Sequence, residues 1–151
     1  MAYIIRNDPL GFAGFAWKNF EFIERTAKNS PDIPDIHPVT QLVLSMLGLI
    51  VLQREKNRIQ YSEKIRQTRL DTTDWPHWIA MSPYCNTLEN LVNNLRHAVA
   101  HGHVEFSSNS HDLCEVEVSF RNPGRQWAGS IRADGLRTFC LRFKELLETA
   151  Q

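Results

Sequence analysis

Apolar residues recur at steps of three and four between about Ala13 and Lys28, at Phe15, Ala16, Phe20, Ile23 and Ala27, a spacing that predicts an amphipathic helix. Asn29-Ser30-Pro31 ends it. The segment from Pro31 to Pro38 holds three prolines, each removing a backbone donor and disfavouring helix in the residue before it, so a stiff connecting loop is expected. From Val39 to Leu52 the chain is apolar nearly all the way round, as the central helix of a bundle would be, and Gly48 within it is expected to admit a close helix crossing. Arg54 to Leu70 then carries six basic residues (Arg54, Lys56, Arg58, Lys64, Arg66, Arg69) against Glu55 and Glu63, on a helical extension. Its ordinary reading is a solvated face; contact with nucleic-acid phosphates is the alternative.

Asp71 to Asn86 has no clean period and contains Trp75-Pro76-His77-Trp78 and Ser82-Pro83. It reads as a long ordered loop whose tryptophans pack rather than stack on bases. Thr87 is a plausible N-cap for a helix running to His101, with Gly102 just past its end, where a left-handed residue commonly terminates helices. Val104 and Phe106 suggest a short extended piece, and Cys114 to Phe120 alternates apolar and polar positions as a strand does. Asn122-Pro123-Gly124 signals a turn, and Gln126 to Arg132 returns as the second strand of a hairpin. Asp134 then caps a last helix with an apolar face of Leu136, Phe139, Cys140, Phe143, Leu146 and Leu147. The elements add up to a mainly α fold, a helical bundle with a small antiparallel β-hairpin before the C-terminal helix. There is no internal repeat and no low-complexity tract.

Length and composition narrow the picture. The 151 residues, 42% of them hydrophobic and 23% charged, suit one globular domain spanning 1–151 with one core. The longest apolar stretch, Val39 to Leu52, is shorter than the roughly 20 residues a spanning helix needs, so no membrane segment is expected. Three cysteines (Cys85, Cys114, Cys140) without CxxC spacing, and nothing like a signal peptide, point to reduced thiols in a cytoplasmic protein. Lys plus Arg equals Asp plus Glu, 17 each, so any nucleic-acid site must be local rather than a matter of net charge.

The helix from Thr87 to His101 is where such a site can lie. On a wheel at about 100° per residue, Leu88, Leu91, Val92, Leu95 and Val99 form the core stripe. The opposite face presents Asn90, Asn93, Asn94, His97 and His101, uncharged amides and imidazoles where a solvated face more often shows Lys and Glu. Arg96 sits at the stripe's edge, roughly 140° from His101 on an ideal helix. The two converge if the Arg side chain reaches round, if the helix loosens at Gly102, or if a second copy completes the site, which hints at a symmetric dimer. His97, His101 and His103 also have the ring type of zinc ligands, but no acid ligand, HExxH or cysteine pair accompanies them, so a metal site ranks well below. Taken singly, His101 reads as a C-terminal histidine favoured by the helix dipole, and Arg96 as a residue whose stem covers the core.

Asn94-Leu95-Arg96-His97-Ala98-Val99-Ala100-His101-Gly102 resembles the R-x4-6-H signature of the HEPN superfamily, in which Asn, Asp or His commonly follows the Arg, as His97 does here. The helix containing PVTQLVLSMLGLIVL and the hairpin before the last helix resemble a small plasmid-borne bacterial subgroup. The resemblance implies a metal-independent endoribonuclease that cleaves RNA through its own 2′-hydroxyl, leaving 2′,3′-cyclic phosphate and 5′-hydroxyl ends, in a toxin or anti-phage role. It implies Arg96, His97 and His101 as catalytic residues and no metal or other cofactor; with RNA as the ligand, Asn93, Asn94 and His103 beside them are the expected RNA contacts. In the family two motif helices face each other across a dimer axis, so the partners implied are RNA, a second copy sharing a composite site, and an antitoxin or regulatory partner. The Tyr that follows the motif His by two positions in one nucleotidyltransferase-controlled subgroup is His103 here, so control by modification of that Tyr is not expected. The alternative is a catalytically inactive HEPN dimer that binds RNA, a nucleotide or a protein.

Overall fold

The computed structural model describes residues 9–30, 32–33, 35–56, 58–72 and 74–148, the side chains of 9–13 and 51–62 lying outside that description. Five α-helices and four strands follow one another as α1 (Pro9–Asn29), α2 (Pro38–Lys56), α3 (Arg58–Gln67), β1 (Ala80–Ser82), α4 (Leu88–Ala100), β2 (Val104–Phe106), β3 (Glu117–Asn122), β4 (Trp127–Arg132) and α5 (Ala133–Glu148). The strands make one antiparallel sheet in the order β1-β4-β3-β2. The expected hairpin is its centre, β3 against β4, with Val118 opposite Ile131 and Phe120 opposite Gly129. Two short strands from outside the hairpin were not anticipated as sheet. Each is three residues long, too short for alternation to reveal, and each is recruited by an edge of the hairpin whose N–H and C=O groups would otherwise lack partners.

α2 is the central helix, with Leu42, Met46, Leu49 and Ile50 fully buried. It packs along α1, where its buried Ser45 hydroxyl donates to the Ala16 carbonyl at 3.2 Å. Two details of the helical reading are corrected. Among the described residues a Cβ at Gly48 would meet nothing within 4 Å, so this glycine does not mark a close crossing. Phe15 is 40% exposed, and α1 buries Trp17 instead, whose ring meets Phe20 at 5.0 Å. Among the basic residues, Arg66 pairs with Glu89 of α4 at 3.3 Å and Arg69 with Asp71 at 3.3 Å; the side chains of Arg54, Lys56 and Arg58 lie outside the described residues.

The sheet lays one face on α4 and α5. Val116, Val118, Phe120 and Asn122 alternate inward from β3 and its approach, and Trp127 and Ile131 inward from β4. α5 answers with Leu136, Phe139, Cys140, Phe143 and Leu147, all buried. Asp134 does not cap α5 from outside: the helix begins at Ala133, and Asp134 sits in its first turn, held by Arg132 at 3.0 Å and favourable to the helix dipole. The first part of the expected strand at Cys114 is a short 3-10 turn, Leu113–Glu115, which Asp112 caps by accepting from the Cys114 N–H at 3.0 Å. Among the described residues no helix is long and apolar enough to cross a membrane.

Candidate active site

α4 is delimited by chemistry written into its ends. The Thr87 hydroxyl accepts from the Asn90 N–H at 3.4 Å, satisfying one of the amides that a helix start leaves unpaired. At the other end Gly102 adopts φ +69°, its N–H donates to the Val99 carbonyl at 3.2 Å, and the His103 N–H reaches back to the Ala98 carbonyl at 2.8 Å. This double closure by a left-handed residue is the Schellman arrangement, and it turns the chain back across the helix end. His103 is thereby folded beside His101, and its own carbonyl accepts from the Arg121 N–H at 3.0 Å, which ties the turn to β3.

The result is a row of three imidazoles. His97 and His101, one helical turn apart, stand with ring planes within 5° of parallel and centroids 6.1 Å apart; His101 and His103 are 6.4 Å apart and tilted by 34°. His101 is exposed at the tip, while His97 and His103 are half-buried on either side. Arg96 is half-buried on the neighbouring flank of α4, and Asn93 is half-buried a turn earlier. The arrangement thus collects proton-carrying rings at a helix C-terminus, where exposed carbonyls favour positive charge, with a permanent cation one residue from His97. Among the described residues no three His, Cys, Asp or Glu side chains gather as a metal ion would require.

Asn94 behaves differently from the other expected RNA contacts. It is only 5% exposed, and its amide is committed inside the protein: the Asn122 Nδ2 donates to its Oδ1 at 2.9 Å, and its own Nδ2 donates to the Cys85 Sγ at 3.5 Å. The wheel placed Asn94 on the polar face, but that position lies at the edge of a core stripe made wider than expected by Ala98, which is fully buried. Asn94 is therefore withdrawn from the RNA-contacting set and reassigned to holding the helix in place. Asn122 was missed because it looks like a turn residue. The signal was available, since it continues the inward register of Val116, Val118 and Phe120 by two more positions. Burial pushes the Cys85 thiol above its ordinary range, and the neighbouring Asn94 amide and Trp127 indole, which favour the thiolate, offset this in part. The Trp127 Nε1 itself makes no hydrogen bond of good geometry.

Among known proteins, the sequence matches the family described as HEPN pEK499 p136 over residues 9–151. No curated protein and no solved structure matches it. The family match runs through all five helices and the sheet, and includes the segment that bears Arg96, His97 and His101. The chain belongs to the plasmid-associated HEPN family.

Proposed function

We propose that the protein is a metal-independent endoribonuclease whose active site is built on Arg96, His97 and His101. The observation that carries this reading is the row of imidazoles at the end of α4, with an exposed His101 flanked at 6.1 Å and 6.4 Å by His97 and His103. Cleavage of RNA by its own 2′-hydroxyl needs two proton transfers and no redox chemistry. A neutral imidazole accepts the 2′-hydroxyl proton as that oxygen attacks phosphorus, and a protonated one donates to the 5′-oxygen as its bond to phosphorus breaks. Imidazole is the side chain able to serve in both states near neutral pH. Arg96 supplies a planar cation that binds phosphate oxygens in pairs and offsets the added negative charge of the transition state.

Base and acid come from two His101 residues, one from each of two copies whose motif helices meet across a dimer axis, with His97 positioning. Asn93 and His103 contact the strand. The exposed position of His101 supports this, since it leaves the residue open to a second molecule. The setting is a toxin or anti-phage system in the cytoplasm, with an antitoxin or other regulatory partner restraining the dimer.

Incubation of the purified chain with mixed RNA in the presence of chelator is expected to yield 2′,3′-cyclic phosphate and 5′-hydroxyl ends. Arg96→Ala and His101→Ala should each lower cleavage by at least about a hundredfold, the scale of losing one general acid-base or oxyanion-stabilising group, with unchanged circular dichroism. Full cleavage by either folded variant would refute the assignment.

A further inference from the structure

The sheet brings a further cation to the end of the imidazole row, from a strand that the helix motif does not include. Register fixes the placement. Val104 stands opposite Phe120 and Glu105 opposite Ser119, and the Arg121 N–H donates to the His103 carbonyl at 3.0 Å, so the pairing of β2 with β3 runs on one more step and sets His103 opposite Arg121. Val118 and Phe120 are buried, so the alternate positions, His103, Glu105, Ser119 and Arg121, belong to the other face of the sheet. Cross-strand partners on one face have Cβ atoms about 4.5–5.5 Å apart. Arg121 therefore starts beside His103, whose ring is 6.4 Å from that of His101.

That face is open. Across from Arg121 on β4 is Ala128, and across from Ala128 on β1 is Ser82, both small and exposed, so the guanidinium has room beside it. Its Nη2 donates to the Glu105 Oε1 at 3.2 Å, and among the described residues this is its one hydrogen bond. A guanidinium carries five N–H donors, so most of the fork is unused. The two side chains of the pair are 56% and 72% exposed, and an ion pair so exposed contributes little, because water screens it and two long side chains must be held still. Glu105 thus orients Arg121 without committing it.

We propose that Arg121 is a second phosphate-binding residue of the site, exchanging Glu105 for the RNA phosphodiester next to the one that is cleaved. The inference rests on the nuclease reading for its substrate. His103 separates Arg121 from His101, so the phosphate within its reach is a neighbour of the reacting group rather than the reacting group itself. A strand already gripped at the imidazole row presents that neighbour at high effective concentration, and a planar fork receives two phosphate oxygens at once. Arg96 and Arg121 then serve the two ends of the row, one for the transition state and one for strand binding. An acidic protein surface could also meet a guanidinium, but only RNA engages the imidazoles and the arginine together.

The test is an anisotropy titration of the full chain with a 2′-O-methylated oligoribonucleotide, which lacks the attacking hydroxyl, at several salt concentrations. Arg121→Ala is expected to weaken binding about fivefold and to lower the slope of log affinity against log salt by about 0.7, the share of one phosphate on a single strand. Arg121→Lys should keep the slope, because the charge remains. Glu105→Gln should strengthen binding about twofold, and the gain should vanish when combined with Arg121→Ala. Arg142 of α5, half-exposed and also paired with a glutamate, is the control, and Arg142→Ala should leave the slope unchanged. An unaltered slope in Arg121→Ala, an equal loss in Arg142→Ala, weaker binding by Glu105→Gln, or tighter Arg121-dependent binding of polyglutamate than of the oligonucleotide would each overturn the proposal. With cleavable RNA, Arg121→Ala should raise KM at unchanged kcat, whereas His101→Ala lowers kcat. Arg121-dependent binding without cleavage by the natural chain would refute the nuclease reading and leave the phosphate contact standing; cleavage whose KM ignores Arg121 would refute the contact alone.

Discussion

Asn94 shows how one residue's role is settled by what surrounds it. Its amide oxygen and nitrogen both have partners inside the protein, Asn122 at 2.9 Å and Cys85 at 3.5 Å, so it bridges the motif helix to β3 and to the segment before Thr87. Truncation strands a buried Asn122 donor and leaves a small void, and an unsatisfied buried polar group costs about 1–3 kcal/mol. Asn94→Ala is expected to lower unfolding free energy by about 2 kcal/mol in urea denaturation. A change below about 0.5 kcal/mol, the range of ordinary surface substitutions, would show that the amide bridge does not hold α4. His101, seven positions on, contrasts with it: the same helix carries it past the last turn, where it is exposed.

At the scale of elements, end chemistry was more legible than interior packing. Thr87 and Gly102 delimit α4 as their side chains and backbone freedom require, because capping is decided within a few residues. Gly48 is the opposite case. A glycine in an apolar helix suggests a close neighbour, yet whether one arrives depends on where another helix lies, and here the position faces open space. It therefore carries the entropic penalty of glycine without a packing return. Gly48→Ala is expected to stabilise the protein by about 0.5–1 kcal/mol, seen as a higher urea midpoint at unchanged slope; destabilisation would mean that the site is occupied after all. β1 and β2 were read as loop and as a short extended piece for a related reason, since three residues carry too little pattern and the neighbouring strand completes the assignment.

At the scale of the whole molecule, a core cluster of buried residues ties helices and sheet together through positions remote in sequence, and a buried thiol reports on it. Cys140 of α5 is buried in the core, and burial pushes its thiol far above the ordinary value of 9.0. Below about pH 9 the thiol is protonated in both folded and unfolded chains and does not alter stability. Above it only the unfolded chain releases the proton, so the folded state loses ground as pH rises toward the folded value. Between about pH 9 and pH 10 this should lower unfolding free energy by about 1 kcal/mol. The measurement is the difference in pH slope between the natural chain and Cys140→Ala, which cancels other titrating groups; identical slopes would show that Cys140 is accessible to water in the native state.

Helical periods, the central apolar helix, the β3–β4 hairpin, the ends of α4 and the Arg96-to-His101 motif were all legible along the chain, because each rests on contacts or backbone preferences within a few residues. Tertiary structure decided the rest: the two outer strands, the open side of Gly48, the inward turn of Asn94 and the folding of His103 beside His101. These depend on which surface another part of the chain covers, and long-range burial leaves no local trace that distinguishes an amide facing water from one facing Asn122.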